Sequence, residues 1–156
     1  MLQIDFLEEI LKECKREGIH TAVDTAGHVP FSHFERILPS VDLFLYDFKC
    51  FDSEKHRIYT GAGNEKILQN LWRLIEAGKE ITVRIPLVPT VNDSEEELAA
   101  MGDFLRRRDF RGRVELLPYH AMGRHKYAAL GRRAEEFAPP DDTHLNACRR
   151  LFADFA

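Results

Sequence analysis

The sequence alternates short apolar runs with segments of helical periodicity, and this alternation restricts the fold more than any other feature. Four runs have the length and composition of buried strands: residues 19–24, 41–49, 81–88 and 113–118. Strands that alternate with helices pair in parallel through right-handed crossovers. We therefore predict an α/β fold with a mostly parallel sheet and helices outside it, formed by residues 1–156 as a single domain.

The helical segments fill the chain before, between and after these runs. Their apolar spacing and end signals predict helices at residues 4–15, 31–38, 52–58, 64–77, 94–107 and 141–155. Four strands are too few to close into a barrel by themselves. A βα repeat normally begins with a strand, whereas this sequence begins with a helix. We therefore expect that a preceding part of the fold is absent from this sequence.

Composition excludes several functional classes. A net charge of −4 and a pI near 6.0 argue against broad non-specific nucleic-acid binding. No apolar run approaches the roughly 20 residues of a membrane span, and the first residues do not form a signal peptide. The three cysteines, Cys14, Cys50 and Cys148, lack the spacing of a zinc or ferredoxin site. Scattered thiols are typical of a reducing compartment, so we predict a cytoplasmic protein.

Polar residues occur where the predicted strands end, and ligands of parallel α/β sheets bind at the carboxyl ends of the strands. The residues at the strand ends are Asp24, Thr25, Asp47, Lys49 and His120, and Arg84 lies near the middle of the third strand. Asp47 and Lys49 are two positions apart, so their side chains share one face of a strand. A charge inside an apolar run is costly to bury unless it is paired or binds a cation.

Two interpretations of these residues remain open. In the first interpretation, Asp47 and Lys49 form a local ion pair and Asp24 caps a turn. In the second, the acids and bases bind a zwitterionic ligand, and the carboxylate oxygens suit an alkali, Mg²⁺ or Ca²⁺ ion better than zinc. A metal-dependent aldolase or hydrolase is a further alternative, with Asp24 and Asp47 as metal ligands and Lys49 as base or Schiff-base lysine. These residues alone do not name the reaction.

Five segments, in order, resemble the glycyl radical enzyme activating enzymes of the radical S-adenosylmethionine (SAM) superfamily, such as pyruvate formate-lyase activating enzyme. They are DTAG at 24–27, LYDFK at 45–49, GAGN at 61–64, RIPLVP at 84–89 with ND at 92–93, and LLPYH at 116–120 continuing to LG at 130–131. Each segment is weak evidence alone. Their common order and compatible spacing make the resemblance specific, and it covers about residues 1–131.

The resemblance implies both a fold and a reaction. The fold is the last four βα units of a partial (β/α)6 barrel. The reaction is reductive cleavage of SAM by a [4Fe–4S] cluster, after which the 5′-deoxyadenosyl radical abstracts hydrogen from one glycine of a partner glycyl radical enzyme. The electron would come from a donor such as flavodoxin or ferredoxin.

The resemblance also implies roles for individual residues. Four groups would hold a monovalent cation beside the SAM carboxylate: Asp24, Thr25, the Leu45 carbonyl and Asp47. Lys49 and Arg84 would lie near the polar groups of SAM. His120 would contact its ribose or adenine side, and Leu117 would line the pocket.

The sequence departs from the family in one important respect. The CxxxCxxC motif that holds the cluster and the GGE motif that binds the SAM amino group do not occur in it. Its cysteines are too scattered to replace the compact loop that normally supplies cluster ligands. We therefore expect no radical formation by this chain alone, and a cluster-free binding module for a nucleoside ligand or a partner protein is an alternative. We also expect self-association through an exposed sheet edge at residues 19–24.

Overall fold

A computed structural model describes residues 1–131, 133 and 137–155, and the side chains of residues 123–125 and 128 lie outside its description. Its strands are β1 (Ala22–Thr25), β2 (Leu43–Asp47), β3 (Ile81–Leu87) and β4 (Arg113–Pro118). Its α-helices are α1 (Ile4–Arg16), α2 (Phe31–Ile37), α3 (Ser53–Thr60), α4 (Glu65–Glu76), α5 (Glu95–Arg106), α6 (Arg124–Ala129) and α7 (Asp142–Arg150). Short 3-10 helices span Leu38–Ser40 and Ala121–Gly123.

The strands form one sheet in the order β1-β2-β3-β4, and every neighbouring pair is parallel. This sequential order is that of an arc of a βα barrel, because a doubly wound sheet reverses its strand order part-way. The register places Asp24 beside Leu45, and Asp47 beside Arg84. The predicted α/β fold with a parallel sheet is confirmed.

The two faces of the sheet have different environments, since strand side chains alternate between them. One face is apolar and packs with the helices in a single core, to which strands and helices contribute Phe44, Tyr46, Val83, Ile85, Leu71, Leu74, Leu98 and Met101. The opposite face, which we call the open face, carries Asp24, Leu45, Asp47, Arg84 and Glu115, and each of these is at least partly exposed. The helices therefore cover one side of the sheet, as predicted.

Several predicted boundaries need correction. The first strand begins at Ala22 instead of Ile19, because Gly18 ends α1 with a positive φ of 68° and Ile19 follows in the turn. The final helix ends at Arg150, five residues before the predicted end. The segment after β4 contains α6, which is not among the helices predicted from the sequence. Among the described residues, no helix combines the length and apolar character needed to cross a bilayer.

The turn after β1 is fixed by close packing. Gly27 has a φ of +73°, and a Cβ built on it would lie 1.8 Å from the Tyr46 hydroxyl oxygen. Tyr46 is fully buried and donates to the Ile67 carbonyl at 2.8 Å. The Asn70 carboxamide donates to the carbonyls of Gly27 and Val29, both at 2.8 Å. The glycine of the DTAG segment is therefore required by packing and backbone conformation.

Candidate functional site

Four of the predicted site residues form a continuous chain of ion pairs, which we call the charge network: Asp24, Arg84, Asp47 and Lys49. The Arg84 guanidinium donates to Asp47 Oδ1 at 2.7 and 3.1 Å and to Asp24 Oδ1 at 2.5 Å. Lys49 Nζ donates to Asp47 Oδ2 at 2.9 Å. The parallel register explains this geometry, because it sets Asp47 and Arg84 side by side on the open face.

The charge network is electrically neutral and only partly shielded from water. The side chains of Asp47 and Arg84 are 20% and 18% exposed, whereas that of Asp24 is 62% exposed. Burial lowers the pKa of the Arg84 guanidinium, but its hydrogen bonds to Asp24 and Asp47 more than offset this, so the pKa is raised above its usual value. The ion pair between Asp47 and Lys49, left open by the sequence, is present in the structure.

The structure gives no support to the monovalent cation predicted at Asp24, Thr25, Leu45 and Asp47. Both carboxylates are already paired with protein cations. Thr25 lies on the face opposite Asp24, where its buried hydroxyl accepts from the Gly27 amide at 3.0 Å. In the described part of the chain, no group of three or more His, Cys, Asp or Glu side chains is placed to hold a metal ion.

A cavity of about 540 Å³ lies at the carboxyl ends of β2, β3 and β4. This volume falls within the range of small-molecule sites. Its wall is mainly apolar and aromatic with a few polar groups, and includes Lys49, Pro86, Val88, Asn92, Tyr119, His120 and Tyr127. Lys49 therefore belongs both to the charge network and to the cavity wall. His120 also lines the cavity, whereas Arg84 and Leu117 do not, and Leu117 is an exposed residue beside Pro86.

Comparison with known proteins decides the family. Residues 1–102 match the radical SAM superfamily. The chain belongs to the radical SAM superfamily. A solved domain of pyruvate-formate lyase-activating enzyme from Bacteroides vulgatus has a TM-score of 0.84 and 30% identity, with 98% of this chain and 87% of that domain covered. The predicted relation to glycyl radical enzyme activating enzymes is confirmed.

Curated relatives of this radical SAM protein are activating enzymes by name. It is 40% identical over 153 residues to trans-4-hydroxy-L-proline dehydratase activating enzyme of Clostridioides difficile. It is 38% identical over 158 residues to pyruvate formate-lyase-activating enzyme of Staphylococcus epidermidis. Each match covers 96% of this chain, but only 50% and 63% of the respective relatives. The chain thus spans about half to two thirds of their length.

The cysteines of this radical SAM protein do not fit an iron–sulfur cluster. Cys14 lies on α1, Cys50 follows β2 and Cys148 lies on α7. Burial raises the pKa of the Cys50 thiol to about 11, and the nearby Glu97 carboxylate adds to the effect. Burial also raises the pKa of Cys148. Cluster ligands are thiolates from a compact set of cysteines, so these three residues do not form one.

Three buried polar residues near the cavity were not assigned a site role from the sequence. The Asn64 carboxamide donates to the carbonyls of Cys50 and Phe51, both at 2.8 Å, instead of capping α4. The Glu97 carboxylate accepts from the amides of Phe51 and Asp52 at 2.5 and 3.2 Å. Asn92 binds the carbonyl of Lys49. The sequence signal was a polar residue at or near a helix start, which equally predicts an ordinary cap.

Proposed function

We propose that this chain forms the SAM-binding part of an activating enzyme that generates a glycyl radical on a partner enzyme. The observation that carries the proposal is the junction of the charge network with the cavity at Lys49. It places acidic and basic groups beside an aromatic pocket at the carboxyl ends of parallel strands. SAM has matching parts, namely a zwitterionic amino acid and an adenosine.

The described residues fit SAM in charge and in size. We assign its carboxylate to Lys49 and Arg84, because these are the cations of the charge network, whereas its ammonium would be bound by a GGE segment, which these 156 residues do not contain. The adenosine part would occupy the cavity, where His120 contacts the ribose or adenine side and aromatic walls exclude water. When bound and reductively cleaved, SAM supplies the radical that abstracts hydrogen from the partner's glycine.

The [4Fe–4S] cluster would be held by a segment carrying CxxxCxxC, which these 156 residues do not contain. We therefore propose that the chain alone is inactive in radical formation. In the complete system its partners would be a glycyl radical enzyme and an electron donor such as flavodoxin or ferredoxin. Its free thiols suit the reducing cytoplasm, where we place it.

Calorimetric titration of the chain tests the SAM site. We expect SAM to bind about tenfold more tightly than 5′-methylthioadenosine, which lacks the amino-acid part. This factor is the effect of one or two charge-assisted hydrogen bonds. Lys49→Met should remove most of this difference. Lys12→Met is the matched control, because Lys12 is ion-paired with Glu8 and Glu9 on α1 and lies outside the cavity wall. Equal affinity for both ligands in the wild-type chain would refute the assignment of Lys49 and Arg84.

A complementation experiment tests radical formation. The chain would be co-expressed with the part of the Clostridioides difficile relative that it does not match, then mixed anaerobically with SAM, a reductant and trans-4-hydroxy-L-proline dehydratase. We expect a glycyl radical signal by electron paramagnetic resonance only when both parts are present. SAM binding without a radical in the mixture would favour the cluster-free binding module, the candidate that the scattered cysteines support.

We also propose self-association at the β1 edge. Within the described residues β1 pairs only with β2, so its other edge has no strand partner. The neighbouring helix α1 presents Phe6 and Ile10, which are four residues apart and 69% and 46% exposed, and Leu2 just before this helix is 90% exposed. Light scattering should detect dimers in wild type and fewer in Ala22→Pro, since proline blocks edge pairing. A wild-type monomer at high concentration would contradict this proposal.

A further inference from the structure

The hydrogen-bond ladder between β2 and β3 stops at a proline. The Phe48 amide donates to the Arg84 carbonyl at 2.8 Å, which is the last bond of the ladder on this side. In a parallel pair, the next bond would run from the amide of residue 86 to the Phe48 carbonyl. Residue 86 is proline and has no N–H, so the ladder ends there. The cavity begins at this point, since Lys49 and Pro86 both line it.

A single side chain bridges the two strands beyond the end of the ladder. The Asn92 carboxamide nitrogen donates to the Lys49 carbonyl at 2.6 Å and to the Pro86 carbonyl at 2.7 Å. Its carboxamide oxygen accepts from the Val88 amide at 2.8 Å. The Lys49 and Pro86 carbonyl oxygens are both acceptors, and a carboxamide NH₂ group has the two donors needed to link them.

Asn92 is therefore placed to fix one wall of the cavity. It is only 2% exposed, and its buried carboxamide is held on both sides by the backbone. Lys49, Pro86 and Val88, the residues it binds, all line the cavity together with Asn92 itself. The Lys49 carbonyl lies on the segment that carries the ammonium paired with Asp47. Displacing that carbonyl would displace the Lys49 ammonium.

We propose that Asn92 is a positioning residue, whose carboxamide links the Lys49 and Pro86 carbonyls beyond the end of the ladder and holds Lys49 at the junction of cavity and charge network for an anionic ligand group. The part concerning SAM rests on the proposed function above. The part concerning the placement of Lys49 stands on the hydrogen bonds alone.

The test compares two asparagines in matched environments. Asn92→Asp replaces the donor that faces two carbonyls by an acceptor, and Asn70→Asp does the same where Asn70 binds the carbonyls of Gly27 and Val29. Both asparagines are 2% exposed, so we expect similar falls in the thermal midpoint. Calorimetry with SAM and the rate of Lys49 acylation by an N-hydroxysuccinimide ester, measured by peptide mass spectrometry, then separate positioning from stability.

We expect Asn92→Asp to weaken SAM binding about tenfold, the loss of one charge-assisted hydrogen bond, while Asn70→Asp leaves it unchanged. Lys49 acylation should become about threefold faster in Asn92→Asp and stay unchanged in Asn70→Asp. The factor is small because the partly exposed ion pair between Lys49 and Asp47, which would be loosened, protects the amine only weakly. Equal effects of both variants on SAM affinity would show that Asn92 acts only through stability and would overturn the proposal. So would unchanged affinity and acylation in Asn92→Asp.

The remaining outcomes are also decisive. If the wild-type chain does not bind SAM, the proposed function fails, and Lys49 acylation alone decides the role of Asn92. If Asn92→Asp does not fold, Asn92→Ser with Asn70→Ser as control removes the same donors without adding a charge. An acylation rate in Asn92→Ser equal to that of the wild type would then overturn the proposal.

Discussion

Replacing Gly27 by alanine should destabilise the fold strongly, because the new methyl group has no space. A Cβ at this position would lie 1.8 Å from the Tyr46 hydroxyl oxygen and 2.3 Å from its ring carbon, well inside an ordinary contact of 3.4 Å. Tyr46 is fully buried between the helices and the sheet and hydrogen-bonded to Ile67, so it does not move aside freely.

Three contributions set the expected magnitude. The left-handed backbone at Gly27 costs alanine about 1 kcal/mol. Overpacking against a buried side chain adds about 1–3 kcal/mol. Loss of the hydrogen bond from Tyr46 to Ile67 adds about 1 kcal/mol. We therefore expect Gly27→Ala to lower the free energy of unfolding by about 3–5 kcal/mol.

The chain contains a matched control for the backbone contribution. Gly18 has a φ of +68°, close to that of Gly27, and nothing lies within 4 Å of a Cβ built on it. Gly18→Ala should therefore cost only about 1 kcal/mol. Urea denaturation followed by far-UV circular dichroism measures both variants against the wild type. If Gly27→Ala cost no more than Gly18→Ala, the close approach of Tyr46 would have no energetic consequence and the reasoning would be refuted.

Three further predictions follow from the sheet and its carboxyl end. Pro86→Ala restores an amide on the β2 side of β3, and hydrogen-exchange mass spectrometry should find that amide protected; fast exchange there would mean that proline does not limit the ladder. Arg84→Met should lower the unfolding free energy by about 1 kcal/mol or more, because it removes a donor from two carboxylates. Arg16→Met, which removes an exposed ion pair, should have no measurable effect. Equal stabilities of the two variants in urea would contradict this prediction. Because the pKa of Cys50 is raised in the folded protein, the thiol loses its proton at lower pH in the unfolded state than in the folded state. The contribution of the buried Cys50 thiol to folding stability is therefore complete below pH 9.0 and is lost as the pH rises towards about 11. Cys50→Ala should flatten this dependence in urea titrations, and an unchanged pH profile would argue against a buried thiol.

The sheet was predictable because its strands form apolar runs that can be recognised in the sequence. Runs such as 43–47 and 81–87 are long and apolar, which is typical of strands in a parallel sheet. The alternation of strand side chains also predicted that Asp47 and Lys49 share a face, and the structure pairs them. The short helix α6 was missed because residues 124–129 lack an apolar repeat of helical period.

The composition of the candidate site was less predictable. Asp24 and Thr25 are consecutive in a strand, so alternation places their side chains on opposite faces, whereas the resemblance assigned both residues to one cation. Asn92 was missed for a different reason. Its partner Lys49 lies 43 residues away in sequence, and the bond depends on the parallel register that brings β2 beside β3. No local pattern contains that information.

The neutrality of the charge network makes binding at the open face an exchange reaction. Asp24, Asp47, Lys49 and Arg84 already pair with one another, so an anion that displaces a carboxylate from a cation leaves that carboxylate without its partner. A ligand with both charges close together replaces both partners at once, whereas a simple ion of either sign replaces only one. On the proposed function, the face would therefore bind a zwitterion in preference to an inorganic ion.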